Sequence, residues 1–225
     1  MMFSNSGFRI THAMTGVALT AGMFIAVAAS AETSSPPSTL AVLPDLSAKL
    51  QTTLIDPNGH RSLSTVQIYR SGQSVRYEHT DSDPPEIWIM DFKEMKEYRI
   101  YAGDKIYFET PISNRLSFKA QREGLIPKEN HPELIETRFL LREDRIEGHP
   151  CDIVLLLRSI IDRKDLGTDY TLLWEARDLN RQPLRIAYYQ PSSTLAVIDL
   201  LAVQAGPIDP GLLQPPSGFA SMSPY

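Results

Sequence analysis

The sequence predicts a mainly β protein with a few helices, built on one strongly curled antiparallel sheet of about eleven strands. Three observations predict it. Short runs rich in Val, Ile, Tyr, Phe and Trp recur from Ser64 to Glu109 and again from Ile135 to Gln204, each bounded by Gly, Pro, Asp or Ser clusters. No long helical pattern alternates with these runs, so a βαβ order is excluded. Several runs are apolar on both sides of the pleat, Ile87-Trp88-Ile89-Met90 foremost, so something must cover both faces of the sheet.

Residues 1–31 read as a signal peptide. Arg9 supplies the positive n-region, Ala13 to Ala28 is apolar and uncharged, and Ala29-Ser30-Ala31 forms an A-x-A cleavage site before Glu32. An apolar run of about 16 residues is short of the roughly 20 needed to span a bilayer, so cleavage after Ala31 and a periplasmic location without a transmembrane anchor are expected. Residues 32–44 are linker, opening with the polar, Pro-rich ETSSPPS, and one domain is expected over 45–220.

Asp45 to Ile55 alternates as a strand, Asp56-Pro57-Asn58-Gly59 turns the chain, and His60 to Arg70 pairs back. The meander follows with SVRYEH, EIWIMD and EYRIYAGDKIYFE, stopped by Ser71-Gly72, Asp81 to Pro85, Phe92 to Lys96 and Gly103-Asp104. Pro111 to Leu125 then changes character. Ile112, Leu116 and Lys119 lie at helical spacing, which predicts a short amphipathic helix inside a long connection, the kind of excursion that forms a cover or lid. Strands resume at Ile135 to Ile146, Cys151 to Ser159, Asp169 to Arg177, Pro183 to Gln190 and Thr194 to Gln204. The tail from Gly206 onward holds five prolines and is expected to cross a surface in extended form.

Charge and chemistry narrow the function. The chain carries 22 basic and 27 acidic residues, and loss of Arg9 with the leader makes the balance more acidic still, which disfavours nucleic acid and anionic membranes as partners. Cys151, the single cysteine, opens an apolar strand and reads as a small buried hydrophobe, so packing must supply the stability that a disulfide would. His60, His79, His131 and His149 lie in or near turns without metal-ligand spacing, and no metal or other cofactor is expected. There is no G-x-S-x-G, no S-x-x-K and no phosphate loop, so no catalytic residue is assigned and an enzyme is not expected. Apolar surplus recurs in Ile153 to Leu157 and Leu195 to Val203, and it requires a second apolar neighbour, which could be a helix, a ligand or another protein.

The runs Arg70 to Glu78 (RSGQSVRYE), Glu86 to Asp91 (EIWIMD), Lys105 to Glu109 (KIYFE), Ile146 to Ile153 (IEGHPCDI), Arg181 to Ile186 (RQPLRI) and Asp209 to Phe219 (DPGLLQPPSGF) resemble the lipoprotein-carrier (LolA/LolB-like) superfamily, in its uncharacterised exported branch. The resemblance covers nearly all of the mature chain. It implies an open half-barrel with a helical lid, whose apolar concave face holds acyl chains. It also implies roles in outer-membrane lipoprotein sorting, in lipid binding or in sensing mislocalised lipoprotein. The family's strand-three arginine falls on Arg76, where it would bond a lid carbonyl or hold a headgroup, and its D-G turn falls on Asp91-Phe92. No Cys follows the leader, which argues against a membrane-anchored receptor.

The leading expectation is a monomeric periplasmic carrier for a lipid or an acylated protein. Its site is lined by Ile68, Trp88, Met90, Ile100, Leu155, Trp174 and Ile198, chosen from strand pattern, together with Arg76. A dozen buried methylenes at about 0.8 kcal/mol each would bind usefully with no sharp motif. The alternative is an interaction or envelope-stress sensing module whose hollow docks a segment of an envelope protein.

Overall fold

The computed structural model describes residues 43–79, 83–126, 134–160, 169–189 and 194–222; the expected signal peptide and most of the linker lie outside them. In chain order the elements are β1 (Leu46–Ile55), β2 (Arg61–Ser71), β3 (Ser74–His79), β4 (Glu86–Asp91), β5 (Lys96–Tyr101), β6 (Ile106–Pro111), α1 (Asn114–Arg122), β7 (Leu134–Ile146), β8 (His149–Ile160), β9 (Asp169–Ala176), β10 (Gln182–Tyr189), β11 (Leu195–Ala205) and β12 (Ala220–Met222). The strands form one open curved sheet in the order β12-β6-β5-β4-β3-β2-β1-β11-β10-β9-β8-β7, which does not close into a barrel.

Local chemistry sets the turns. The Asp56 carboxylate accepts from the Asn58 and His60 amides at 2.8 and 2.9 Å, closing the β1–β2 hairpin. Asp91 does the same for Lys93 and Glu94 at 2.9 and 3.0 Å, and Met95 takes the left-handed conformation at φ 55° that completes the turn. Ser113 caps α1 by accepting from the Leu116 amide. Past the helix, Gly124 sits at φ +69°, which favours glycine, and a Cβ there would lie a tight 3.3 Å from the Pro183 and Ile186 side chains.

Register divides the sheet into two faces. Ala48, Ile68, Tyr77 and Trp88 share a cross-strand line, as do Ile198, Ile186, Leu173 and Val154. These lines, with Leu46, Leu50, Val75, Met90 and Leu200, make the core face, and Ala120 and Leu125 of the α1 region join the same cluster. The outer face carries Arg76, Ile89 and Tyr98 in one line and Asp199, Arg185, Trp174 and Ile153 in another.

Two expectations need correction. The sheet has twelve strands, and one neighbour pair is parallel: β12 lies along β6 from Ala220 opposite Ile106 to Met222 opposite Phe108. The triplet Ala-Ser-Met carries no strand signal, and only an open sheet edge makes it one. The second correction concerns the surplus of apolar strand surface in the meander, for which the chain itself supplies the neighbour. From Gly206, whose amide donates to the Asp45 carbonyl at 2.9 Å, the tail runs over the outer face to β6. On the way Arg76 donates to the Leu212 carbonyl at 3.0 Å, and Leu213 to Phe219 come against Tyr98 and Tyr107. Ile89, between Arg76 and Tyr98 in its line, is thereby fully buried. The tail therefore does more than cross a surface: it completes the second layer over β3 to β6.

Candidate functional site

α1 and the turn after it pack against the core face. Ile112, Ala120, Leu125 and Ile126 are buried there with Ile68, Tyr77 and Met90. Arg70, at the end of β2, holds this cover and has no exposed surface. Its Nη1 donates to Gln182 Oε1 at 2.7 Å and to the carbonyls of Leu125 and Gly124 at 3.4 and 3.5 Å, and its Nη2 donates to the Pro44 carbonyl. Gln182, equally buried, passes its own amide to the Gly124 carbonyl at 3.1 Å. Burial draws the Arg70 pKa down to about 10 while nearby Asp45 acts in the opposite direction, so it is a cation at neutral pH held on backbone and amide oxygens. Arg70 Nε is buried with no hydrogen-bond partner among the described residues, a donor that costs stability until something accepts from it.

A second tie joins the cover to the sheet. Tyr77 donates its hydroxyl to Glu123 Oε2 at 2.9 Å, and Lys119 reaches Glu123 Oε1 at 3.2 Å while its ammonium lies 4.8 Å from the centre of the Tyr77 ring. Burial raises the Glu123 carboxyl above its ordinary value of 4.5, with Lys119 and the Tyr77 hydroxyl opposing. Burial likewise puts Tyr77 well above its usual range, with the Glu123 charge adding to it. The fold therefore favours the protonated form of Glu123 more than the unfolded chain does. Its contribution to stability is complete below about pH 4.5 and declines as pH rises through the raised folded value. Urea midpoints for wild type and Glu123→Gln, measured from about pH 4 to 7, should diverge in that sense, wild type losing ground as pH rises. Parallel curves would exclude this assignment.

Beside the cover, the core face of β4 to β6 stays open. Trp88, Phe108, Ile106 and Tyr101 form a partly exposed aromatic ledge; Tyr101 and Phe108 meet edge to face at 5.7 Å, and Arg99 stacks 5.0 Å above Trp88. Arg99 is paired to the buried carboxylate of Glu97 at 2.7 Å. The Trp88 indole N–H is satisfied by Glu86 at 2.8 Å, and its ring lies between Arg99 and the His79 ring, whose centre is 5.3 Å away.

The residues chosen from strand pattern fall on both faces of the sheet. Ile68, Trp88, Met90 and Ile198 lie on the core face. Ile100 and Arg76 lie on the outer face of the meander, the face crossed by the tail, and Leu155 and Trp174 lie on the outer face of the second half. Arg76 bonds Glu78 at 2.6 Å and the tail carbonyl of Leu212; the arginine that bonds the segment after the helix is Arg70, on the other strand of the same hairpin. Trp174 bonds Asp144 and lies under Arg185, which is itself paired to Asp199. Pattern misses Arg70 because an arginine directly before a Ser-Gly turn looks solvated. The signal that could have found it is parity, since it shares the face of Val66 and Ile68.

The resemblance also implies a preformed apolar hollow. Among the described residues two hollows lie on the outer face against the tail, about 420 and 240 Å³, the larger lined by Asp91, Tyr98, Tyr107 and residues 213–219. At the centre of the core face Ile68, Tyr77 and Met90 are buried together with Ala120 and Leu125, so a guest there must displace α1. No group of three His, Cys, Asp or Glu among the described residues is placed to hold a metal ion. No helix among them is long and apolar enough to cross a membrane.

No family model matches the chain, and no curated protein matches it in sequence. Several solved structures are distantly similar to it. They include a LolA superfamily protein. That protein, from Nitrosomonas europaea, is 14% identical over 76% of this chain and 90% of its own, with a TM-score of 0.38. An uncharacterized conserved protein from Thermus thermophilus is 10% identical over 80% of this chain and 90% of its own, with a TM-score of 0.47. The lipoprotein LppX of Mycobacterium tuberculosis is 10% identical over 72% of this chain and 88% of its own, with a TM-score of 0.41.

Proposed function

We propose that this is an exported carrier or binding protein for a lipid or the acyl chain of a lipoprotein, with the guest taken up on the core face. The observation that carries this reading is Arg70. A buried cation spends its bonds on the backbone of the segment after α1, and that segment can be released without breaking an ion pair. Its orphaned Nε offers a donor to a carboxylate or ester oxygen of a guest. The ledge of Trp88 and Phe108 gives the chain of such a guest a first apolar contact beside the cover. Displacing α1 costs the burial of Leu125, Ala120 and Ile112; a tail of a dozen methylenes, at about 0.8 kcal/mol each, is of the size needed to offset that. Ile68, Met90 and Ile198 would line the opened site, and the remaining pattern-chosen residues would support it from the outer face.

Protein purified from an exporting host should carry lipid detectable by native mass spectrometry, and delipidated protein should bind a fluorescent fatty acid. A lipid-free preparation that also ignores the probe, in wild type and Trp88→Ala alike, would overturn the proposal.

One observation favours the alternative of an envelope-protein partner. Leu155, Leu172, Ala187 and Val197 form a continuous partly exposed apolar line on the outer face of β8 to β11, with Leu63 of β2 exposed beyond it. If this strip is the docking surface, cross-linking in the native compartment captures one dominant protein partner, and Leu172→Glu abolishes the capture while leaving fatty-acid binding intact.

A further inference from the structure

The far edge of the sheet is β7, which pairs with β8 on one side and with no described strand on the other. It is thirteen residues long, and Ile135, Leu140 and Leu141 on it are 49%, 63% and 52% exposed. An open edge of this length is a template for another strand, and natural edges are blunted by charge and by bulges. Both devices are present, but their arrangement is self-complementary.

Pairing with β8 shifts by one residue between Leu140, opposite Val154, and Arg142, opposite Ile153. Leu141 is the extra residue. Before the bulge the even-numbered residues Glu136, Arg138 and Leu140 share the core side. After it the odd-numbered Glu143 and Arg145 do, since they stand opposite Asp152 and Pro150. An antiparallel two-fold pairing of a regular strand with its own copy can only bring residues of equal parity together. The bulge lifts that restriction. With Leu140 opposite Leu141 of the second copy, Arg138 meets Glu143, Glu136 meets Arg145, Thr137 meets Asp144 and Phe139 meets Arg142. Each face matches its own kind, and the two-fold axis repeats every pair. Four charge-complementary contacts flank a centre of four leucines.

We propose that the β7 edge is a homodimerisation surface, on which a second copy of this chain adds antiparallel with Leu140 against Leu141 across the two-fold axis. The occupant is argued from charge order. An arbitrary strand would meet like charges somewhere along Glu136, Arg138, Arg142, Glu143, Asp144 and Arg145, whereas the same strand reversed about the bulge meets opposite ones on the core side. The surface stands apart from the Arg70 cover, and the inference does not rest on the proposed ligand. It departs from the monomer expected of the carrier.

Sedimentation equilibrium of the mature chain should give about twice the monomer mass, with association weakening as salt rises. Arg138→Glu and Glu143→Arg should each shift the protein to monomer, and the double variant should restore the dimer. Within one chain Arg138 pairs with Glu175 and Glu143 pairs with Arg177, so a merely structural role makes the double variant the worst of the three. As a second measurement, mixed Thr137→Cys and Asp144→Cys chains should form an inter-chain disulfide, and neither chain alone should do so. A wild type that stays monomeric at all concentrations, a double variant that fails to recover the dimer, or a mixture that does not cross-link would overturn the proposal.

Discussion

Arg70→Ala lowers the unfolding free energy by about 3–5 kcal/mol, the largest single-residue effect expected in this protein. The substitution removes a side chain with no exposed surface and leaves Gln182 Oε1 and the carbonyls of Leu125 and Pro44 without their donor, while the Gly124 carbonyl keeps only the Gln182 amide. Each acceptor stranded in a dry site costs about 1–3 kcal/mol unless water reaches it, and the vacated volume adds a cavity cost. Arg70→Met separates the two terms, since it refills the space but not the bonds, and should recover only the cavity part. Lys96→Ala is the control: its ammonium pairs with Glu109 with both side chains exposed, and its loss should cost much less. Urea unfolding read by tryptophan fluorescence checks all three. If Arg70→Ala falls within about 1 kcal/mol of wild type, the buried network does not hold the cover. The same variant bears on function, because a loosened cover should speed uptake of the fluorescent fatty acid even as stability falls.

Ending the chain after Gly206 should cost a comparable amount, on the order of 3–5 kcal/mol, without touching the core face. The missing segment provides the carbonyl that Arg76 bonds, the parallel pairing along β6 and the second layer over Ile89. Returning a buried Ile to water accounts for about 1.5–3 kcal/mol, and each lost hydrogen bond for roughly 1 more. The truncated protein should also bind a hydrophobic dye at the bared outer face and aggregate on heating, because β6 becomes an open edge. An unchanged urea midpoint would mean that the tail merely lies along the sheet. Fatty-acid binding should survive the truncation, which separates the layer that stabilises the sheet from the one proposed to admit a guest.

Much of the fold is legible because hairpins write themselves locally. Asp56 to His60 and Asp91 to Met95 close turns with bonds between neighbours in sequence, and the runs between them carry the two-residue period of a strand. The helix is legible for a similar reason, from the helical spacing of Ile112, Leu116 and Lys119, although it begins only at Asn114, after the Ser113 cap. The candidate site is less so. Strand pattern separates apolar from polar positions, but where both faces are apolar it cannot say which face a residue takes. Ile68 and Met90 fall on the helix side while Ile100, Leu155 and Trp174 fall on the other.

Composition, turn chemistry and periodicity are thus enough to specify a mainly antiparallel sheet of near-correct strand count, the mid-chain helix and the absence of a recognised catalytic motif, because each depends on residues close together in the chain. Three features required the folded molecule: the parallel strand β12, the layer that the tail makes over the meander, and the choice of Arg70 over Arg76 as the cation that ties down the cover. Each joins segments far apart in sequence, and a contact between Arg70 and Leu125 or between Arg76 and Leu212 leaves no periodic trace at either end. Burial of a charge is a property of what surrounds it, and for Arg70 the surroundings come from separate stretches of chain.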